Sequence, residues 1–419
     1  MSSPGTNRGA NLALIDAGQK RAFAIGFAGL VIFVIIGFVT RNSGEGGWLP
    51  FLHQYLIGFA FWAAVSVGML GALMIHHTTG GWWGYPLRRI FEAGARTIPL
   101  IALFFLVPLF TMGKLYSSWI HPAADDRILA SKLWYLTVHG WVIRAIVYFA
   151  IWLILAFWLN RLSAREDATG DPTLSHAMEK VSAPGLVIGA GAITVAAIDW
   201  IMSLEPHWFS TIYGFLYIVI FLLAGYSFGV VVLRRLAENE PLKDALEPSR
   251  YLDVGNLILV FTLLWAYLAF SQFLIIWAGN MKQEIPYYTS RAFGGWGVVG
   301  GLLLFLHFFV AFFCLLMRSI KRRLSRLAKV AAWQFALTLL DLYWQTAPAY
   351  EKSPRWADFG IIFAAIGLGG IWVGVFCMQL KRFPLLPLHD PRFPGRSPAI
   401  PPTSDFLHHL GPHGTEVET

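Results

Sequence analysis

The sequence predicts an all-α integral membrane protein, and three observations support that prediction. Hydrophobic residues make up 56% of the 419 residues and charged residues only 13%, whereas soluble domains usually contain about a quarter charged residues. Ten apolar runs approach the roughly 20 residues that cross the hydrocarbon core of a bilayer. Lys and Arg are concentrated in alternate connecting segments, which is typical of multi-pass helical proteins. Together these patterns exclude a soluble globular domain.

The ten apolar runs predict ten transmembrane helices. The first run is too long for a cleaved signal peptide, and Val39-Thr40-Arg41 offers no small-residue cleavage site. The runs lie near residues 22–40, 52–75, 97–113, 135–159, 184–204, 208–233, 253–278, 294–316, 327–344 and 357–378.

The distribution of basic residues predicts the orientation. Of the 32 Lys and Arg residues, 23 lie on one side: 22 in the two terminal segments and in the connections after the second, fourth, sixth and eighth runs, and Lys329 at the start of the ninth run. By the positive-inside rule, both termini are expected in the cytoplasm, in a bacterial inner membrane. The formal charge of +8 therefore reflects topology and lipid contact, and we expect no nucleic-acid binding.

Three regions follow from this layout. Residues 1–21 are predicted to form a cytoplasmic N-terminal tail, and residues 22–378 a ten-helix membrane domain. Residues 379–419 form a Pro-rich cytoplasmic tail, which cannot build its own core. The tail is either disordered or laid along a partner subunit, with Phe383, Phe393 and Phe406 as anchors.

The sequence offers no ligand set for a metal or a covalently bound cofactor. Cys314 and Cys377 lie inside apolar runs, without C-x-x-C or haem-attachment spacing, and are expected to be inert packing residues. Haem ligation between helices needs two His at matching depth, and the positions of His139 and His307 match poorly.

Titratable residues inside the apolar runs are the candidate functional groups, because charge at membrane depth is costly and usually functional. Their predicted depths are graded across the bilayer, as a proton relay requires. The alternative is structural: an ion pair between Arg144 and Asp199, with His307 satisfied by its neighbours. The candidate proton path consists of Asp253, His307, Arg144, Asp199, Asp341, His139 and Glu205.

An internal repeat predicts the helix arrangement. Asp199 precedes Pro206 by seven residues, and Asp341 precedes Pro348 by the same spacing. Seven residues are two helical turns, so each pair shares a face. The two helices are four apart and point the same way, which predicts two parallel four-helix bundles, helices 2–5 and 6–9, plus two flanking helices.

Three stretches resemble a known family. They are Met202-Ser203-Leu204-Glu205-Pro206-His207-Trp208-Phe209-Ser210 with Tyr213-Gly214, Phe270-Ser271-Gln272-Phe273-Leu274-Ile275-Ile276-Trp277 with Gly279-Asn280 and Glu284-Ile285-Pro286, and Gly294-Gly295-Trp296. With the ten-helix layout, they resemble the NrfD-like (NrfD/PsrC-like) membrane subunits of alternative complex III, the quinol:electron-acceptor oxidoreductase. The resemblance is nearest to the shorter, ActF-type subunit. One departure is Met281-Lys282-Gln283-Glu284, where the family commonly has an acidic pair.

The resemblance implies an assembly with a sibling NrfD-like subunit, an iron–sulfur subunit, multihaem cytochrome c subunits and other membrane subunits. Haem and iron–sulfur clusters would then belong to the partners, and quinone (menaquinone or ubiquinone) and lipid would be the non-covalent ligands. In the family, quinol oxidation is usually placed on the longer sibling, and the ActF-type copy is thought to support proton movement or assembly.

Three functions remain open from the sequence. The first is a subunit of a quinol:cytochrome c or copper-protein oxidoreductase that provides a proton path and a scaffold. The second is quinol binding and oxidation by this chain, and the third is a stand-alone secondary transporter. The quinone site of the second would consist of His139, Asp199, Trp134, Tyr135 and Trp141.

Overall fold

The computed structural model describes residues 4–42, 47–123 and 125–391, and all regular structure within these ranges is helical. A π-helical segment, Leu303–Val310, joins two helices, and 3₁₀ turns lie at Met202–Leu204, Ala347–Ala349 and Trp356–Phe359. The α-helices are α1 (Pro4–Asn42), α2 (Leu49–Thr79), α3 (Arg88–Ala95), α4 (Ile98–Phe104), α5 (Leu106–Leu115), α6 (Ser117–Ile120), α7 (Arg127–Ala130), α8 (Val138–Thr169), α9 (Thr173–Trp200), α10 (Ile212–Leu236), α11 (Leu242–Ala245), α12 (Pro248–Gly279), α13 (Pro286–Ala292), α14 (Trp296–Leu302), α15 (Ala311–Leu316), α16 (Arg318–Lys321), α17 (Leu324–Thr346) and α18 (Gly360–Lys381).

Eight helices in the described ranges are long and apolar enough to cross a membrane, and a bent pair brings the number to nine. The bent pair joins Arg88–Phe104 to Leu106–Leu115 at 42° and contains the predicted third span. The predicted ninth span lies in α17, which is not among these helices. The prediction of ten spans is therefore confirmed only in part. The length and apolarity of the helices are nevertheless those of a multi-pass membrane protein.

Helices α2 and α10 form the centre of the molecule. Nearly every residue of α2 from Leu52 to His77 is buried. The two backbones touch at a pair of glycines, since a Cβ on Gly68 would lie 1.8 Å from the Phe221 carbonyl oxygen and one on Gly225 would lie 2.6 Å from the Gly68 carbonyl carbon. Glycine is required here because any side chain would force the helices apart.

The other helices pack around this pair. In the first group, α3–α5, α8 and α9 lie beside α2, and α8 packs along α9. In the second group, α12 and α17 pack on α10, and the segment from α14 to α15 packs on α12 and α17. Helices α1 and α18 pack along each other, and α18 contacts α2.

Polar contacts between helix ends identify two ends of the molecule. The basic end carries the connections 80–87, 170–172, 237–247 and 317–323. The opposite end carries the connections 116–137, 201–211, 280–295 and 347–359.

The segments next to the termini differ from the predicted tails. Helix α1 begins at Pro4, inside the predicted N-terminal tail. Residues 382–391 lie against this chain at the basic end: the Arg96 guanidinium lies 3.8 Å from the Phe383 ring centroid, and Asp390 pairs with Arg88 at 2.6 Å. The hypothesis that a partner orders the C-terminal tail is therefore wrong for 383–391, because its contacts are internal. The anchors proposed at Phe393 and Phe406 lie outside the described residues.

Candidate functional site

In the first group, Arg144 of α8 and Asp199 of α9 form a closed ion pair. The Arg144 Nε donates to Asp199 Oδ2 at 2.9 Å, and its Nη2 donates to Oδ1 at 2.8 Å. The third nitrogen, Nη1, donates to the Tyr135 carbonyl oxygen at 2.9 Å. Asp199 is fully buried. This is the structural alternative considered from the sequence, because both carboxylate oxygens are held by one cation.

The interior around this pair is aromatic. The indole of Trp141 stacks on Phe105 with centroids 5.2 Å apart, and Trp200 Nε1 donates to the Tyr148 hydroxyl at 2.6 Å. Along α9, the buried positions between Ser182 and Asp199 are small or apolar: Gly185, Gly189, Ala192, Ile193, Ala196 and Ala197. The first group therefore has no polar line along its α9 face in the described residues.

The five residues predicted to form a quinone slot do not surround one cavity. His139 is exposed on the first turn of α8, and Trp134 is 83% exposed. Trp141 is fully buried, and its Nε1 donates to the Asp199 carbonyl oxygen at 3.0 Å. Trp134 and Tyr135 line a small cavity of about 230 Å³. The prediction brought these residues together by depth alone. Trp134 and Tyr135 precede α8, and on α8 itself His139 is exposed while Trp141 is buried.

In the second group, four polar side chains form a line along one face of α17. We call Gln334, Thr338, Asp341 and Gln345 the polar stripe; they are spaced by four, three and four residues, so they share a face. All four are at most 3% exposed. Gln334 Nε2 donates to Thr262 Oγ1 at 3.0 Å.

Within the polar stripe, Asp341 is the only titratable residue. Its Oδ2 accepts from Trp265 Nε1 at 2.9 Å, and its Oδ1 accepts from Gln345 Nε2 at 3.4 Å. Both of these partners are neutral, and among the described residues no hydrogen bond joins a cation to this carboxylate. Asp199 and Asp341 stand at the same spacing from a Pro, but only Asp199 is held by an arginine.

The polar stripe continues to the surface at the opposite end. Gln345 accepts from the Tyr287 hydroxyl at 3.2 Å, and its carbonyl oxygen accepts from Arg291 Nη2 at 2.9 Å. The same nitrogen donates to Glu205 Oε2 at 2.6 Å. Burial alone would lower the pKa of Arg291, but Tyr287 and Glu205 raise it above its usual value. Glu205 is therefore the polar group through which the stripe reaches solvent.

Two of the three sequence stretches singled out above meet at this end. Trp208 stacks on Tyr287 with ring centroids 3.8 Å apart. Ser210 donates to Gln272 Oε1 at 3.1 Å, and Gln272 Nε2 donates to the Tyr288 hydroxyl at 3.3 Å. The first two motifs are therefore parts of one cluster near the end of the polar stripe, and in the third motif the Trp296 carbonyl oxygen accepts from Trp344 Nε1 at 3.2 Å.

Toward the basic end, a half-buried polar contact joins the connection after α15 to α12. Lys321 Nζ donates to Asn256 Oδ1 at 2.6 Å. Burial, with the neighbouring Arg318, lowers the pKa of Lys321. Asp253, predicted at the inner mouth of the path, is exposed on α12.

His307 lies in the π-helical segment, a geometry that frequently marks functional sites. It is 1% exposed, and neither ring nitrogen has a hydrogen-bond partner among the described residues. Its ring centroid lies 4.4 Å from that of Trp265, whose indole donates to Asp341. Trp265 therefore contacts both His307 and Asp341, which the sequence could not show.

Beside the polar stripe is a cavity of about 760 Å³. Its polar lining residues, which we call the floor, are Gln272, Tyr288, Arg291, Asp341 and Gln345. Its walls are apolar and mainly aromatic. They include Leu216, Leu263, Trp265, Ala266, Tyr267, Ala269, Phe270, Phe273, Trp277, Leu303, Leu304, Phe308, Phe309 and Trp344.

A buried ionic cluster at the basic end was missed by the sequence analysis. Arg88 pairs with Glu92 at 3.1 Å, Glu166 at 2.6 Å and Asp390 at 2.6 Å, and every one of these side chains is fully buried. Arg89 bonds Glu92 at 2.7 Å. The local signals were the i,i+4 spacing of Arg88 and Glu92 and the i,i+3 spacing of Arg89 and Glu92, whereas Glu166 and Asp390 come from α8 and the C-terminal segment.

No group of three or more His, Cys, Asp or Glu residues in the described part of the chain is arranged to hold a metal ion. A scan against protein-family models and a search of curated proteins both find no match to this chain.

Proposed function

We propose that this chain is a membrane subunit of a quinol:electron-acceptor oxidoreductase of the alternative complex III type. Its first and second groups are two four-helix bundles flanked by α1 and α18, with α17 as a tenth span. The basic end faces the cytoplasm of a bacterial inner membrane. The second bundle conducts protons, while quinol is oxidised on a sibling subunit.

The polar stripe is the observation that carries the proton path. Buried amides, a hydroxyl and a carboxylate are costly in an apolar interior unless they have a use. Here they continue from Gln334 and Thr262 to Gln345, and then through Arg291 to Glu205. This arrangement supports proton transfer between the basic end and the opposite end, with water completing the gaps.

The roles of the predicted path residues are revised accordingly. Asp341 is the proton-exchanging group, and His307 is its neighbour through Trp265. Glu205 is the group at the opposite surface. Arg144 and Asp199 hold α8 to α9, and the exposed His139 and Asp253 lie off the path.

Exposed aromatic side chains at the opposite end support docking of partner subunits there. Trp134 is 83% and Phe293 72% exposed, and both lie outside the candidate membrane spans. Rings of this size outside the hydrocarbon region are enriched at protein interfaces. The iron–sulfur and cytochrome c subunits implied by the motif resemblance are the proposed partners.

The test has two stages. First, the chain is purified in mild detergent and the co-migrating chains, haem and iron are measured; the proposal requires haem and iron–sulfur partners. Second, the complex is reconstituted into liposomes, and proton release during quinol oxidation is compared for wild type, Asp341→Asn and Asp253→Asn.

Asp341→Asn keeps the shape and the hydrogen bonds but cannot carry a proton. Positioned proton-transfer groups contribute about 10²–10⁴-fold to rate, so proton release through this chain should fall to background while quinol turnover persists. The exposed Asp253→Asn is the matched control and should release protons normally. Normal release from intact Asp341→Asn complex contradicts the proton path, and purification of the chain alone, as a transporter, contradicts the subunit assignment.

A further inference from the structure

We propose that the 760 Å³ cavity binds a prenylated quinone or quinol, with the ring against Gln272, Asp341 and Gln345 and the tail toward lipid. The identity of the ring rests on the function proposed above. The cavity itself belongs to the second group and shares no residue with the slot predicted from the sequence.

The shape of the cavity admits a ligand from the bilayer. Its mouth is lined by side chains on the lipid-facing surface of α12: Tyr267 is 66%, Phe270 61% and Trp277 53% exposed. Its volume falls within the roughly 300–1,000 Å³ of small-molecule sites. A ligand dissolved in the hydrocarbon can therefore enter without crossing the polar end of the protein.

The floor is a built polar site. Gln272 and Gln345 are each 3% exposed, Arg291 is 2% and Asp341 is fully buried. Burial raises the pKa of Tyr288 to about 12, so its hydroxyl keeps its proton. That hydroxyl accepts from Gln272, which leaves its proton for a further acceptor.

These features fit a quinone better than a phospholipid. An acyl chain has no hydrogen-bonding atoms to match the floor, and a charged headgroup stays at the membrane interface. A quinone carries an oxygen at each end of a flat ring, so it can bond to the floor while its faces pack on Phe273 and Phe308. In the quinol form, a ring hydroxyl can donate to Asp341.

The test uses the purified complex in nanodiscs and a photoreactive azidoquinone with a decyl tail as the probe. Labelled peptides are mapped by mass spectrometry, with menaquinone-4 and decylubiquinone as competitors. We expect labelling within α12 and α14, removed by excess menaquinone-4 or decylubiquinone and unaffected by excess dioleoyl phosphatidylglycerol.

Two variants localise the label. Ala269→Trp fills the mouth without touching the floor, and it should reduce labelling by tenfold or more. Gln272→Leu removes a floor contact and should also weaken labelling, which covers the case in which the first variant does not fold. Ala28→Trp, on the exposed face of α1, is the matched control and should label as wild type.

The inference is overturned if both cavity variants label as wild type, or if phospholipid competes as well as quinone. If the complex contains the redox partners but α12 and α14 are not labelled, the quinone site is contradicted and the proposed function is not. If the chain purifies without redox partners and is still labelled specifically, the quinone site is supported and the assignment to a quinol oxidoreductase is contradicted.

Discussion

Two aspartates at the same sequence position relative to a Pro have different chemical surroundings. Asp199 is bonded by a guanidinium through both carboxylate oxygens. Among the described residues, Asp341 accepts from the neutral groups of Trp265 and Gln345 alone. A neighbouring cation stabilises a carboxylate anion, whereas neutral donors in an apolar interior leave protonation accessible. The difference in function that we assign to the two residues follows from their partners.

Asp199→Asn should destabilise the protein, because it leaves the Arg144 cation buried without its counter-ion. Breaking a buried pair in this way costs about 3–5 kcal/mol, and Arg144 is 20% exposed, so we expect the lower part of that range. The measurement is thermal unfolding of the purified complex, with the yield of assembled complex as a second readout.

The double variant Arg144→Met/Asp199→Leu is the control for this prediction. Replacing both charges by apolar groups should recover most of the loss. If the double variant is as unstable as Asp199→Asn, the ion-pair explanation is wrong.

At the scale of single elements, the C-terminal segment 382–391 acts as a strap across the basic end. Asp390 contributes one of the three carboxylates around Arg88, Leu388 N donates to Asp167 at 3.2 Å, and the Phe383 ring lies under Arg96. The strap is held by charge and cation–π contacts, so its attachment depends on a few side chains.

Asp390→Ala should release the strap. Removing one partner of a buried, charge-assisted hydrogen bond costs about 1–3 kcal/mol, and residues 382–391 should become sensitive to protease at the basic end. Limited proteolysis followed by mass spectrometry measures this directly.

A truncation after Pro391 is the matched control, because it keeps every described contact of the strap. The truncated chain should resist protease and unfold as wild type does. Equal protease resistance of Asp390→Ala and wild type would show that Asp390 does not hold the strap.

At the scale of the whole molecule, the orientation of the two ends decides the direction of the proposed proton path. We expect the basic end to be cytoplasmic, by the positive-inside rule. In a background with Cys314→Ala and Cys377→Ala, an impermeant thiol reagent should label Ser117→Cys and not Ser325→Cys in intact spheroplasts. Both positions are exposed, so permeabilised cells should label both. The reverse pattern would invert every assignment of side.

The membrane class and most helix positions could be predicted from the sequence because they depend on local composition. A run of about 20 apolar residues has few alternatives to a membrane-spanning helix. The third and ninth spans were harder for a physical reason. The third span is bent near Phe105. The ninth span, α17, carries buried polar residues such as Gln334 and Asp341. These residues lower the mean hydropathy of α17, although the face that carries them points to the interior of the protein.

The candidate site shows where sequence reasoning ends. The sequence by itself determined that Asp199, Asp341 and His307 lie inside apolar runs and that Glu205 stands at a helix end. Only the tertiary structure decided that Arg144 neutralises Asp199, that Trp265 contacts His307 and Asp341, and that a cavity opens beside Asp341. These facts depend on how each helix is rotated and which helix it faces. Rotation and neighbour choice come from packing between segments far apart in the chain, which local composition does not encode.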